Sequence, residues 1–179
     1  MNFNGSMNAI EPMNINGTTL ETLLDALKAF IEKKLENYLL PVKQEGWEKQ
    51  PLHRPAEVSE MVMPDPDEDH ERIPYIELQL LNGKDERDQN GQMKSTVSVR
   101  IIITLFNRDK FEGRMQIVHM VQRLRKELIQ AGVIGGCFEL QWPLEYLIYP
   151  DDTEWYHMGE MATIWSIPSI ERDVPGLRW

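Results

Sequence analysis

The stretch Ser95–Phe106, STVSVRIIITLF, carries the clearest secondary-structure signal in the chain. Apolar side chains occupy every second position: Val97, Val99, Ile101, Ile103 and Leu105. Polar side chains fill most positions between them, including Arg100. Because successive side chains of a strand point to opposite faces, this alternation predicts a strand with one face on a core.

A second strand is predicted just before it. The sequence PYIELQLL, residues 74–81, places Ile76, Leu78 and Leu80 on one side. The polar stretch NGKDERDQNGQ, residues 82–92, separates the two strands and contains two Asn-Gly pairs. Asn-Gly favours hairpin turns, so we predict a long hairpin with a polar loop at 82–92.

Two amphipathic helices flank this hairpin. In TTLETLLDALKAFIEKKLENYLL, residues 18–40, leucines recur at helical spacing, and Thr18 with Glu21 has capping-box spacing. This pattern predicts a helix from about residue 19 to residue 40, stopped by Pro41. A second helix is predicted from Asp109 to a C-cap at Gly132. Its core stripe is predicted to be Met115, Val118, Val121, Leu124 and Leu128, joined by Ile117 and Ile129.

The remaining strands follow the second helix. GGCFELQW and LEYLIY, residues 135–142 and 144–149, read as short strands separated by Pro143. GEMATIWSIP, residues 159–168, predicts the last strand, with Trp165 facing the core and Pro168 ending the pairing. With the two segments that flank Pro143 counted as one strand of the order, α-β-β-α-β-β predicts an α+β fold in which helices pack on one face of a mainly antiparallel four-stranded sheet.

Single-domain organisation follows from the length of 179 residues. We predict a flexible N-terminal arm at 1–17, one domain at 18–170 and a C-terminal tail at 171–179. Residues 41–73 are rich in proline and show no sustained period, which predicts a long loop or extended arm with Trp47 as its candidate anchor.

Composition excludes several classes of protein. The chain has 29 acidic and 19 basic side chains, a net charge of −10, which disfavours a nucleic-acid grip. The single cysteine, Cys137, allows no internal disulfide and fits folding in a reducing cytoplasm. No apolar run is long enough for a membrane span, and the N-terminus lacks the features of a signal peptide.

Candidate chemistry is weak throughout. DPDEDHE, residues 65–71, imitates the start of a calcium loop but lacks the required Gly and Glu, so a solvated acidic loop is the better interpretation. The four histidines share no ligand spacing with each other or with Cys137. Glu139, Glu145 and Glu160 are not spaced to require a carboxylate pair. We therefore predict no enzyme, and no catalytic, metal or cofactor site.

The order of these elements resembles the tail terminator (tail completion) proteins of long-tailed bacteriophages. The segments that carry the resemblance are IPYIELQLLNGKDE (73–86), STVSVRIIITLFNRD (95–109), GRMQIVHMVQRLRKELIQAGVIGGCFELQWPLEYLIYPDD (113–152) and WYHMGEMATIWSIPSI (155–170). The resemblance covers roughly residues 18–170 and is most convincing over 73–170. The family has no catalytic residues to transfer to this chain.

The resemblance implies a structural virion protein of the tail or neck, assembled in the cytoplasm of a bacterial host. Such proteins form a hexameric ring that caps the tail tube, ends tube polymerisation and docks a head-tail connector or neck protein. Tail sheath is a further possible partner, and DNA passes through the ring without specific binding. The acidic charge is compatible with a lumen that does not retain DNA.

Ring closure requires two different complementary patches on each subunit, and polar loops or long arms suit that purpose. We expect 41–73 and 82–93 to touch neighbouring subunits or rings; the alternative is that both are only solvated loops. The RLRKE run, 123–127, is either a solvated helix face or a subunit contact. The interface candidates are Lys84, Asp85, Glu86, Arg87, Asp88, Trp47, Arg123 and Arg125.

Three other interpretations stay open at this point. The chain could be a neck or head-tail joining protein, or the terminator of a contractile tail-like bacteriocin. A small ligand-binding or enzymatic α+β domain would need a pocket with convergent polar groups, which the residues do not suggest.

Overall fold

Two helices and eight strands make up the described part of the chain, residues 20–42, 52–61, 73–150 and 155–170 of a computed structural model. The helices are α1 (Leu20–Leu35) and α2 (Lys110–Ala131). The strands are β1 (Leu40–Pro41), β2 (His53–Arg54), β3 (Glu57–Glu60), β4 (Tyr75–Arg87), β5 (Met93–Phe106), β6 (Val133–Ile134), β7 (Phe138–Ile148) and β8 (Tyr156–Ile167). Predictions about Thr18, Trp47, the acidic cluster 65–71 and both termini lie outside the described residues.

Six strands form one mixed sheet in the order β3-β4-β5-β8-β7-β6, and β1 and β2 form a separate two-stranded sheet. The α+β class is confirmed, and the four long strands β4, β5, β8 and β7 are antiparallel neighbours. The predicted four-stranded sheet is wrong in strand number, because β3 pairs parallel to β4 and β6 pairs with β7. Strands of two to four residues are too short to display the alternation that sequence prediction needs.

The proline-rich segment 41–73 is therefore not wholly a loop. Within it, residues 57–60 form the strand β3, with Glu57 aligned with Tyr75 and Glu60 with Leu78. A parallel edge strand of this kind is fixed by its partner's backbone, so its own sequence carries little signal.

The hairpin of β4 and β5 is confirmed, but its strands run further than predicted. Pairing continues to Arg87 and Met93, so most of the predicted loop 82–92 belongs to the ladder. The register shifts between Leu80 and Asn82, which leaves Leu81 as an extra residue on β4. Such a bulge exchanges the two faces of the strand beyond it.

The core lies between one face of the sheet and the two helices. The alternate side chains of β5 from Val97 to Leu105 are buried as predicted, and Met161, Thr163 and Trp165 of β8 align with them. Trp165 is fully buried. The strand ends at Ile167, before Pro168, as the sequence indicated.

Helix α1 is shorter than predicted. It buries most of the predicted stripe, including Leu23 and Leu27, whereas Leu20 at its first residue is exposed, and it ends at Leu35 rather than near residue 40. The amide of Tyr38 donates to the carbonyl of Leu35, 2.8 Å, and the chain then enters β1 at Leu40. Because a residue before proline avoids helical backbone, Leu40 could not have continued the helix.

Both predicted ends of α2 are confirmed. The Asp109 side chain accepts a hydrogen bond from the Glu112 amide, 2.9 Å, and the Gly132 amide donates to the Leu128 carbonyl. The buried stripe is Ile117, Met120, Val121, Leu124 and Leu128. Met115 and Val118, predicted in the core, are only half-buried, because the helix turns its Ile117–Met120 side toward β8.

The two short strands predicted around Pro143 form one strand, β7. Its register against β8 shifts between Gln141 and Glu145, so Trp142, Pro143 and Leu144 bulge out of the ladder. Proline has no amide proton to donate, and a bulge on an outer strand accommodates it without losing the strand.

Candidate assembly surface

The end of the β4–β5 hairpin is organised by Asp88. Its carboxylate Oδ1 accepts hydrogen bonds from the amides of Asn90 and Gln92, both 2.8 Å. Its own amide donates to the Gln92 carbonyl, 2.9 Å, and Gly91 has φ +78°, a left-handed conformation that favours glycine. Of the predicted interface residues, Asp88 thus has a structural role in forming the turn.

Residues Leu81–Lys94, which we call the hairpin arm, are all exposed. The Lys84 ammonium pairs with the Glu86 carboxylate, and the Ser95 hydroxyl donates to Asp85 Oδ1, 2.5 Å. An exposed ion pair of this kind contributes less than about 1 kcal/mol to stability. The arm is therefore a paired, charged projection rather than the loose loop that the sequence suggested, and it brings Lys84, Asp85, Glu86 and Arg87 together.

The outer edge of β4 is covered only in part by the described residues. Strand β3 aligns with Tyr75–Leu78, and the Met61 amide adds a bond to the Leu78 carbonyl, 2.8 Å. Backbone groups of successive strand residues point alternately to the two sides. Since the Asp88 amide bonds inside the hairpin, the backbone groups of Arg87, Asp85 and Gly83 point away from β5, to the side where no described strand pairs with them.

The opposite edge of the sheet is covered even less. Strand β6 pairs with Phe138 and Glu139 of β7, and the Leu140 amide donates outward to the Gly132 carbonyl, 2.8 Å. The Tyr149 amide donates inward to the Met158 carbonyl, 3.1 Å, so the groups of Ile148 and Tyr146 point outward. No described strand pairs with β7 on that side beyond Glu139.

Large apolar side chains stand on this uncovered part of β7. Trp142 is 67% exposed, Tyr146 54% and Leu147 49%. Isolated exposed apolar residues are ordinary, but aromatic residues grouped along an edge strand are typical of contact surfaces. The sequence contained a signal for this edge that the prediction did not use: Pro143 within a strand indicates an outer position.

Arg123 and Arg125 lie on the helix α2 and not on a strand at either edge of the sheet. The Arg123 guanidinium donates to the Lys34 carbonyl at the C-terminal end of α1, 3.1 Å from Nη2, and lies 5.7 Å from the Tyr38 ring. Burial raises the pKa of the Tyr38 hydroxyl, which the charge of Arg123 partly offsets. Arg123 therefore joins the two helices, whereas Arg125 is exposed, and a subunit contact by either residue stays a prediction.

A polar cluster that the sequence analysis missed lies on the sheet face opposite the core. Arg100 Nε donates to Glu160 Oε2, 2.7 Å, and the Tyr149 hydroxyl donates to the same oxygen, 2.9 Å. The hydrogen bond to Glu160 raises the pKa of Arg100 further above its usual value. The three residues come from β5, β8 and the end of β7, so only the strand pairing brings them together.

The described part of the chain does not bring together side chains that would form a metal site or a carboxylate pair. No group of three His, Cys, Asp or Glu side chains is placed to hold a metal ion there. Glu139 and Glu145 are exposed, while Glu160 is engaged with Arg100, so they form no carboxylate pair. Burial raises the pKa of the Cys137 thiol, and no helix among the described residues is long and apolar enough to cross a membrane.

Comparison with known proteins adds little. No protein-family model matches this chain, and neither does any curated protein. One solved structure, whose name describes no activity, is 15% identical and aligns with 83% of this chain and 97% of its own, at a TM-score of 0.39. That similarity is too weak to support an argument about function.

Proposed function

We propose that this chain is a structural protein of a phage tail or a tail-like particle, a tail terminator that caps the tail tube as a hexameric ring. The proposal rests on the resemblance of residues 73–170 and on one structural observation, the charged hairpin arm that extends one edge of the sheet. The partners proposed are further copies of the chain, the tail tube protein and a connector or neck protein.

The arm supports this proposal because of what ring assembly demands. A closed ring of identical subunits uses a heterologous contact, in which one patch of each subunit meets a different patch of the next. The arm is formed by β4 and β5, and the exposed edge of β7 lies beyond β8 in the strand order, so they are two different patches. A compact binding domain would instead need a concave pocket with convergent polar groups.

The negative net charge of the chain is compatible with passage of DNA through such a ring. Every phosphate contact made by Lys or Arg adds salt-dependent affinity and would slow a moving duplex. A net charge of −10 gives the chain little capacity for such contacts.

Electron microscopy of the purified protein, alone and mixed with tail tubes, tests the proposal. Six-fold rings at tube ends, and tubes that stop elongating, are the expected result. A stable monomer that leaves tube length unchanged at saturating concentration would refute it.

A shortened arm gives the matching variant. Deleting Glu86 and Arg87 together with Met93 and Lys94 removes two residue pairs, keeps the Asp88 turn and preserves strand alternation. We expect this variant to fold but to lose ring formation or tube docking. The control is Gln130→Ala, a single exposed change on α2 outside both the arm and the 123–127 run, which should cap tubes as the parent chain does.

A further inference from the structure

Two stretches of strand edge have no paired strand among the described residues, and their directions are compatible. Along β4, β5, β8 and β7 each strand is antiparallel to its neighbour, so β4 and β7 run in opposite directions. If the β4 edge of one subunit lies beside the β7 edge of another with the sheets continuous, the new pair is antiparallel. Antiparallel pairing is the more stable of the two arrangements.

We propose that β4 of one copy pairs edge to edge with β7 of the next, so that one sheet continues from subunit to subunit. The contact would join Gly83–Arg87 of one chain to Tyr146–Ile148 of its neighbour. This inference assigns the subunit interface of the proposed ring. It rests on the proposed function only in requiring that successive contacts close into a ring.

Hydrogen-bonding capacity on the two edges is matched. Gly83, Asp85 and Arg87 direct backbone groups outward from β4, and Tyr146 and Ile148 direct theirs outward from β7. An added strand satisfies such rows of donors and acceptors, which is how extended segments augment exposed sheet edges.

Side chains on the two edges are complementary in kind. If Asp85 is set beside Tyr146, Lys84 lies diagonal to Glu145 on the face opposite the core and Glu86 lies directly opposite Glu145, so the Lys84 ammonium stands between two carboxylates. On the other face, Arg87 lies diagonal to the exposed ring of Tyr146 in the same register. Arginine stacks readily on aromatic rings, and charge complementarity of this sort fixes register and partner choice.

A second copy is the occupant that best fits these edges, because one chain carries both halves of the contact. Within the described ranges, the β4 edge has no paired strand near the hairpin end, level with Ser166 of β8, whereas the β7 edge has none further along, level with Gly159–Ala162. Subunits joined in this way are offset along the strands, and the offset recurs at every contact. A staggered sheet that closes on itself is the geometry of a barrel-like ring.

Proline substitution tests each edge separately, because it removes an outward amide. In Asp85→Pro the β4 edge is blocked and the β7 edge is intact; in Tyr146→Pro the reverse holds. Losing one buried hydrogen bond and adding a proline ring should weaken self-association about 10- to 100-fold. Asp85→Ala and Tyr146→Ala keep the amide; because Tyr146→Ala also removes the ring beside Arg87, its self-association is the reference against which Tyr146→Pro is compared.

The mixture of the two proline variants is the decisive sample. We expect each variant alone to be monomeric by native mass spectrometry at a concentration where the parent chain assembles. Mixed one to one, they should stop at a dimer, because only one good edge of each partner meets the other. If either variant alone still assembles like the parent chain, or the mixture stays monomeric, the proposed pairing is wrong.

Amide hydrogen exchange of the unmodified chain tests the pairing without any variant. We expect the amides of Gly83, Asp85, Arg87, Tyr146 and Ile148 to exchange at least about tenfold more slowly in the assembled protein than in the monomer. Equal rates, or a chain that never leaves the monomeric state, would overturn the inference.

The same samples separate this inference from the proposed function. Rings that cap tubes but leave these five amides unprotected would keep the terminator function and remove the edge pairing. Edge-paired oligomers that ignore tubes would keep the pairing and remove the terminator function.

Discussion

Replacing Thr163 by valine should destabilise the core more than the loss of one hydroxyl suggests. The indole Nε1 of Trp165 donates to the Thr163 hydroxyl, 2.9 Å, and that hydroxyl donates to the Val99 carbonyl, 2.9 Å. Trp165 and Thr163 are both fully buried, so water cannot replace the missing acceptor. Valine has nearly the same shape as threonine, and the main effect is a buried N–H without a partner.

The magnitude follows from the cost of that unpaired donor. An unsatisfied buried polar group costs about 1–3 kcal/mol, whereas the Val99 carbonyl, which also faces β8 in the ladder, loses much less. We expect Thr163→Val to lower the free energy of unfolding by about 1–2 kcal/mol, after a small gain from the added methyl. For a chain of this length that corresponds to a fall of roughly 2–6 °C in Tm.

A double-mutant cycle with Trp165→Phe isolates this cause. In the phenylalanine background there is no indole N–H to orphan, so Thr163→Val should cost close to nothing, and the coupling energy should be about 1 kcal/mol or more. Urea unfolding at one fixed protein concentration measures all four chains, since self-association would shift their apparent stability. Thr163→Ser, which keeps the acceptor, is the control.

Additivity within about 0.5 kcal/mol would refute this explanation, because independent sites add to that accuracy. A Thr163→Ser variant as unstable as Thr163→Val would refute it as well, since the methyl group rather than the hydroxyl would then be responsible.

Three further predictions concern other contacts. Gly113→Ala should destabilise the fold by about 1–3 kcal/mol in urea unfolding, because its new Cβ would lie 2.1 Å from His157 Nε2; His157→Ala should relieve most of that cost. Lys34, 2.7 Å from Glu127, lowers the pKa of that carboxyl in the folded chain, so the pair stabilises the fold above the unfolded pKa of about 4.3 and the effect is lost as pH falls through the folded value. Glu127→Gln should therefore flatten the acid side of the stability–pH curve. Cys137, whose thiol pKa is raised by burial, should react with a disulfide reagent at neutral pH several-fold more slowly in the folded chain than in urea.

Each of these predictions has a plain contrary outcome. An alanine at position 113 that leaves unfolding unchanged, an unaltered acid limb after Glu127→Gln, or equal thiol rates in folded and unfolded chains would contradict it. Gly132→Ala is a useful comparison for Gly113→Ala, because nothing lies within 4 Å of the added Cβ and only the φ of +66° opposes it.

Local patterns in the sequence were sufficient for much of the fold. The alternation in β5 and β8 gave both strands and the side that is buried, including the place of Trp165. Asp109 and Gly132 marked the ends of α2 correctly, because capping depends on backbone groups within a few residues.

Predictions failed where distant residues compete for the same backbone. The helix predicted to residue 40 ends at Leu35, and residues 57–60 join the sheet although their own sequence shows no strand period. The polar stretch 82–92 was read as a loop, yet its backbone pairs across the hairpin as far as Arg87. Charged side chains on both faces conceal a strand that projects beyond the core, since there is no buried face to produce alternation.

The candidate site divides in the same way. Lys84, Asp85, Glu86 and Arg87 are predicted as interface residues because a polar hairpin loop suits ring contacts, and they lie together on the arm, while Asp88 forms the turn and Arg123 joins the helices. Trp47 lies outside the described residues. The sequence did not predict the exposed edge of β7 at Tyr146, because whether a strand edge has a neighbour depends on the arrangement of the whole sheet.

What the sequence determined by itself is the set of elements with a buried face: two amphipathic helices and the alternating strands, whose periods of 3.6 and 2 are written in local order. The order of the strands in the sheet, the cover on their edges and the meeting of charges such as Arg100 and Glu160 depend on the folded chain as a whole. Backbone hydrogen bonds across a sheet carry no side-chain identity, so the neighbour of a strand is fixed by the packing of the whole chain rather than by its own residues.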